Sequence, residues 1–117
     1  MSVKSLCLAG VAAALFAAPA LAHHSFAMFD QTKNVEHQGV VKEFQWTNPH
    51  SWLIVTVNGV DWSLEMGGPG GLARNGWRPK TLVPGDKVSF VAHPLKSGEP
   101  GGQFQSVVLP NGTKMGE

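Results

Sequence analysis

The stretch Ser51-Trp52-Leu53-Ile54-Val55-Thr56-Val57-Asn58-Gly59-Val60-Asp61-Trp62-Ser63-Leu64-Glu65 decides the fold class. Its first half is rich in β-branched residues, which suit the pleated, half-buried surface of a strand. Asn58-Gly59 then supplies two positions that tolerate positive φ, as a tight two-residue hairpin turn requires. After the turn, Val60, Trp62 and Leu64 alternate with Asp61, Ser63 and Glu65, which predicts one buried face and one wet face. On that alternation Glu65, like Glu43 upstream, is expected to be a solvated strand residue.

Upstream, residues 36–46 read as a curved first strand, with Val40, Phe44 and Trp46 sharing one face with Lys42, and Val41 sharing the other with Glu43 and Gln45. Gly39 marks a bend or bulge near its start. Pro49 has no N–H for a ladder and biases Asn48 away from helix, so Trp46-Thr47-Asn48-Pro49-His50 is a loop. Downstream, Gly67-Gly68-Pro69-Gly70-Gly71 breaks the ladder, and Leu72-Ala73-Arg74-Asn75 forms one helical turn that Gly76 ends through a left-handed residue. Two further strands are expected at residues 87–93 and 104–109, separated by a Gly/Pro loop over residues 94–103. Strand, strand, strand, short helix, strand, strand is the order of an all-β, five-stranded OB-like barrel, whose ligand face is flanked by the loops after strands 1 and 4. An SH3-like barrel or a small β-sandwich fits these strands less well.

The start of the chain divides into the parts of a secretory signal. Lys4 is the positive end, residues 6–16 are apolar, and Ala20-x-Ala22 is a signal-peptidase pattern. The apolar run is shorter than the roughly 20 residues needed to span a bilayer, and no later segment is long and apolar enough, so no membrane span is expected. The expected organisation is a cleaved signal at residues 1–22, an N-terminal arm at 23–35, a barrel at 36–112 and a tail at 113–117. The expected location is periplasmic or secreted. Cys7, the single cysteine, leaves with the signal, which excludes disulfides and thiol catalysis from the mature chain. Of nine Lys and Arg residues Lys4 also leaves, so the remainder balance the eight Asp and Glu. With no basic cluster, nucleic acid is not an expected partner.

Histidines at 23, 24, 37, 50 and 93 carry most of the polar chemistry. Cleavage after Ala22 gives His23 a free α-amine, which can chelate a metal together with Nδ1 of the same ring. His24 offers a second mode through amine, deprotonated backbone amide and imidazole. Such nitrogen-rich sites favour Cu(II), which tops the divalent affinity order and accepts tetragonal geometry. His50, held in a Pro-stiffened loop at the rim of the barrel's ligand face, is the candidate to complete a metal site with His23 and His24. The plain alternative is a polar chain end and a loop histidine bonded to a backbone carbonyl. His37 and His93 read as structural, and Met28 and Met66 as core filler. Of the four tryptophans, Trp46 and Trp52 bracket the His50 loop and are, with Asn48, the candidate ligand-binding residues. No pair of carboxylates is committed to one site, no Gly-x-Ser-x-Gly elbow surrounds a serine, and the glycine run lacks the Lys-Ser/Thr of a phosphate-binding loop. An enzyme is the minority reading.

His23-His24-Ser25-Phe26, Asp30, Trp46-Thr47-Asn48-Pro49-His50, Gly76-Trp77, Pro84-Gly85-Asp86 and Leu109-Pro110-Asn111-Gly112 together resemble a family of small exported bacterial proteins of unknown function. The resemblance spans nearly the whole mature chain. It implies a secreted, compact β domain whose distinctive places are its start and the His50 loop, and it brings no activity with it. Three functions are therefore carried forward. The first is a periplasmic metal-binding protein, with copper as the candidate cofactor. The second is a non-metal envelope module recognising a glycan, a small molecule or a partner protein. The third is a copper-dependent oxidative enzyme.

Overall fold

The computed structural model describes residues 26–117, so the segment expected to be a signal, His23 and His24 lie outside the described residues. The hairpin forms as its turn chemistry requires. Asn58 and Gly59 take φ of 49° and 79°, and β2 (Trp52–Val57) pairs with β3 (Val60–Glu65) in the register Val57↔Val60 through Trp52↔Glu65. Leu53, Val55, Val57 and Leu64 face inward and are buried.

The first strand, β1 (Val35–Gln45), serves two neighbours. Its first half pairs with β4 (Lys87–Pro94) and its second half with β2, so it bends from one wall of the barrel into the next. The register slips between Val41 and Glu43. That extra residue resets the alternation, so Val41 and Phe44 both reach the core although an unbroken strand would send them to opposite faces. The expected grouping of Val40 with Phe44 is therefore corrected: Val40 is exposed, and the bulge lies at Val41–Glu43 rather than at Gly39.

Closure comes from β5 (Gly101–Val108), antiparallel to β4 and parallel to β3 over Ser63↔Gly101 to Glu65↔Gln103. The result is a closed barrel in the order β1-β2-β3-β5-β4, with one short helix between β3 and β4, as expected of an OB-like fold. The closing strand starts at Gly101, three residues before the point read from hydrophobicity. A Cβ on Gly102 would collide with the His93 carbonyl oxygen, so the crowded closure needs glycine where the pattern suggests a loop.

The helix, α1 (Pro69–Arg74), begins earlier than the single turn expected at residues 72–75, because proline is well placed in a first helical turn. Gly76 ends it with φ of 90°. Just beyond, Trp77 is fully buried against Phe44 and Phe104, and its Nε1–H donates to the Gly116 carbonyl oxygen at 2.9 Å. That carbonyl belongs to β6 (Lys114–Gly116), which pairs with β5 within the segment read as a tail. Burying one large side chain of this kind contributes about 1.5–3 kcal/mol, and Trp77, Phe90, Leu53 and Leu64 anchor the single core.

The N-terminal arm is docked. A 3-10 turn, Phe26–Met28, leads to Phe29, which is buried and bridges to Leu95. Asp30 N–H donates to the Pro94 carbonyl at 2.8 Å, and Lys96 N–H to the Met28 carbonyl at 2.9 Å. The arm therefore lies along the start of the β4–β5 loop.

Candidate functional site at the barrel rim

The loop between β1 and β2 is tied down at both ends. Thr47 Oγ1 donates to the His50 carbonyl at 2.6 Å, while Ser51 and the connection just after β3 exchange backbone bonds, Ser51 N–H to Gly67 and Met66 N–H to Ser51, at 3.0 and 2.9 Å. The Asn48–Pro49 peptide within it is cis. This anchoring fixes the ring of His50. Its Nδ1 lies 3.0 Å from the Met66 carbonyl oxygen. A carbonyl can only accept, so Nδ1 carries the hydrogen, and in the neutral ring the lone pair is then on Nε2.

Glu65 Oε1 stands 3.6 Å from the same Nδ1, a charge neighbour rather than a hydrogen-bond partner. The expectation that Glu65 is solvated is overturned, since only 3% of it is exposed. Alternation puts it on the outer face with Asp61 and Ser63, but that face is covered locally. Phe26 of the arm, the His50 loop and Glu117 after β6 all meet Glu65 around one cavity of about 280 Å³. Glu43, by contrast, is exposed as expected.

Glu117 Oε1 accepts the Gly67 N–H at 2.9 Å. Burial holds its carboxyl above the ordinary glutamate range, with the Glu65 carboxylate adding to the rise and the Gly67 N–H and His50 opposing it. The cavity thus gathers an imidazole and two carboxylates from three separate segments. Among the described residues, no three His, Cys, Asp or Glu side chains already converge as a metal-holding group.

The other residues singled out by sequence divide cleanly. Asn48 and Trp52 join His50 and Glu65 around an adjoining hollow of about 380 Å³. Trp46 instead packs edge-on against Phe44, with ring centres 5.9 Å apart, and lies against the core. His37 stacks on Trp62 at 4.6 Å and near Phe90 at 5.9 Å, while His93 Nδ1 bonds the Lys33 carbonyl at 2.8 Å. Both have packing or backbone roles. Met66 is buried, as core filler should be, whereas Met28 is exposed on the arm, against that expectation.

Glu65 and Glu117 are the residues that sequence reasoning missed. A signal for Glu65 was available: counting outward from the Asn58-Gly59 turn pairs Glu65 with Trp52, two residues after His50. None existed for Glu117, whose position depends on β6 returning to the barrel.

A comparison with curated proteins finds no match. The comparison with protein families does, and it agrees with the resemblance carried by the Trp-Thr-Asn-Pro-His loop. With the family model matching residues 11–105, the chain belongs to DUF6152, a family of unknown function.

Proposed function

We propose that this protein is exported, that it works in the periplasm or outside the cell, and that it binds a transition metal, copper first, through His23, His24 and His50. The observation that carries the reading is the state of the His50 ring. Its Nδ1–H donates to the Met66 carbonyl with a buried carboxylate close by, which in the neutral ring puts the lone pair on Nε2. Metal-bound histidines use this arrangement, because a carbonyl or carboxylate on the far nitrogen fixes the tautomer and raises the basicity of the ligating one.

Reach supports the partnership with the N-terminus. Phe26 lines the same cavity as His50, and an extended chain covers roughly 3.3–3.6 Å per residue. Two or three residues upstream therefore fall within about 7–11 Å of Phe26. An α-amine, one or two imidazoles of the chain start and His50 Nε2 would make a nitrogen-rich set suited to Cu(II). Glu65 would act on the site through His50, by orienting it.

The test is a Cu(II) titration of protein that begins at His23, read by calorimetry and electron paramagnetic resonance, beside a control carrying one extra N-terminal residue. One-to-one binding with nitrogen superhyperfine structure, weakened in the control and again in His50→Ala, is the expected result. Binding no tighter than that of a short histidine peptide would overturn the reading.

A further inference from the structure

On the other side of His50 the outer face of β2 carries a different kind of chemistry. The strand register puts Gln45, Trp52 and Glu65 side by side across β1, β2 and β3, an indole with an amide on one flank and a carboxylate on the other. The next outward row repeats the plan with Glu43, Ile54 and Ser63. Trp52 is half-buried, and it forms the shared wall of the hollow at Asn48 and a second one, of about 250 Å³, that runs to Glu99 and Pro100 in the β4–β5 loop. Hollows of a few hundred Å³ with one apolar surface and a few aimed polar groups are the form small-ligand sites take. In an OB-type barrel this is also the ligand-bearing side, between the loops after strands 1 and 4.

The lining selects the ligand. No lysine or arginine lines either hollow among the described residues, while Glu65 and Glu99 do, so phosphates and other anions are disfavoured. The side-chain amides of Gln45 and Asn48 and the hydroxyl of Ser63 make no hydrogen bond to the described residues, although each stands at the edge of the Trp52 surface. Neutral amides and carboxylates arranged around an indole match a molecule with an apolar face and a rim of hydroxyls. We propose that the Trp52 trench binds an uncharged oligosaccharide, stacking one sugar ring on the indole and hydrogen-bonding its hydroxyls to Gln45, Asn48 and Ser63. The hollow borders His50 and Glu65, but sugar binding requires no metal there, so the two readings can fail separately.

The experiment is a titration of metal-free, chelator-treated protein with cellohexaose, chitohexaose and maltohexaose, followed by amide and indole NMR shifts, with spermidine as a cationic comparison. Saturable shifts centred on the Trp52 indole and the Gln45 and Asn48 side-chain amides are expected, with a dissociation constant on the order of 1 mM. They should be unchanged between low and high salt, since a neutral ligand is not screened. Trp52→Ala should weaken binding roughly tenfold or more and Asn48→Ala about threefold. Asn48 is exposed in a loop, so its variant stays informative if Trp52→Ala folds poorly. Absence of saturable shifts with all three sugars would overturn the proposal. So would equal sugar binding by both variants, or salt-sensitive binding of spermidine alone.

Discussion

Trp77 and His50 both sit in connections between strands, yet the two connections are built for opposite ends. The segment that carries Trp77 turns its largest side chain fully inward, packs it against the rings of Phe44 and Phe104 and spends its indole N–H on the Gly116 carbonyl. The segment that carries His50 keeps its imidazole about a third exposed beside a buried carboxylate, and uses backbone bonds rather than apolar packing to hold the ring. The first connection contributes burial, the main favourable term in folding. The second accepts the cost of polar groups in a half-dry place, and under the proposed function that place is the binding site.

The sharpest way to break this contrast is to remove each centre in turn. Trp77→Ala should cost on the order of 3–5 kcal/mol, by loss of transfer energy and by the cavity left behind. Chemical denaturation would show this as a large fall in midpoint, and a loss below about 1 kcal/mol would mean the tryptophan is not part of the core at all. His50→Ala should leave stability within about 1 kcal/mol of wild type, while weakening Cu(II) on the order of 100-fold in a competition titration. A stability loss as large as that of Trp77→Ala, with copper affinity intact, would make His50 another structural residue and erase the distinction.

Glu65→Gln gives a finer test. It keeps shape and removes charge, so the His50 ring should stay in place while copper affinity falls about tenfold. The copper resonance spectrum should shift as well, a readout that packing alone would not move. The smallest effect lies on the arm that leads to the rim. Hydrogen bonds from the Thr32 hydroxyl and N–H hold the Asp30 carboxyl below the usual aspartate range, with Lys33 and Lys96 adding attraction. A carboxyl depressed in the folded state stabilises above its unfolded pKa, and the contribution is lost as pH falls through the folded value. Asp30→Asn should therefore lower stability slightly near neutrality, converge with wild type at low pH and so flatten the acid side of the stability profile. A change of slope at alkaline pH would refute the assignment.

The parts of the fold legible in sequence are those with a local cause. The β2–β3 hairpin follows from Asn58-Gly59 and the flanking alternation, and the left-handed stop after α1 follows from Gly76. The barrel order follows from the succession of elements. The bulge at Val41–Glu43 was not legible, since it pairs two residues against one only once β2 lies alongside. Nor was the early start of β5 at Gly101, where a glycine pair that looks like a linker is needed because two strands press on it. At the rim, sequence singled out His50, Asn48 and Trp52, and the structure brings these three together; it turns Trp46 away to the core.

By itself, then, the sequence determined an all-β barrel with one short helix, a histidine loop after the first strand, and the alternation of faces along the β2–β3 hairpin. Dihedral preference and a two-residue period are properties of neighbouring residues, and so they can be read in order along the chain. Only the tertiary structure decided that Phe26, His50, Glu65 and Glu117 border one cavity. It also decided that an outward-facing glutamate is buried, because the arm, a loop and β6 return to cover it. Which segments meet is settled by long-range pairing and closure, and neither leaves a local mark at the residues it brings together.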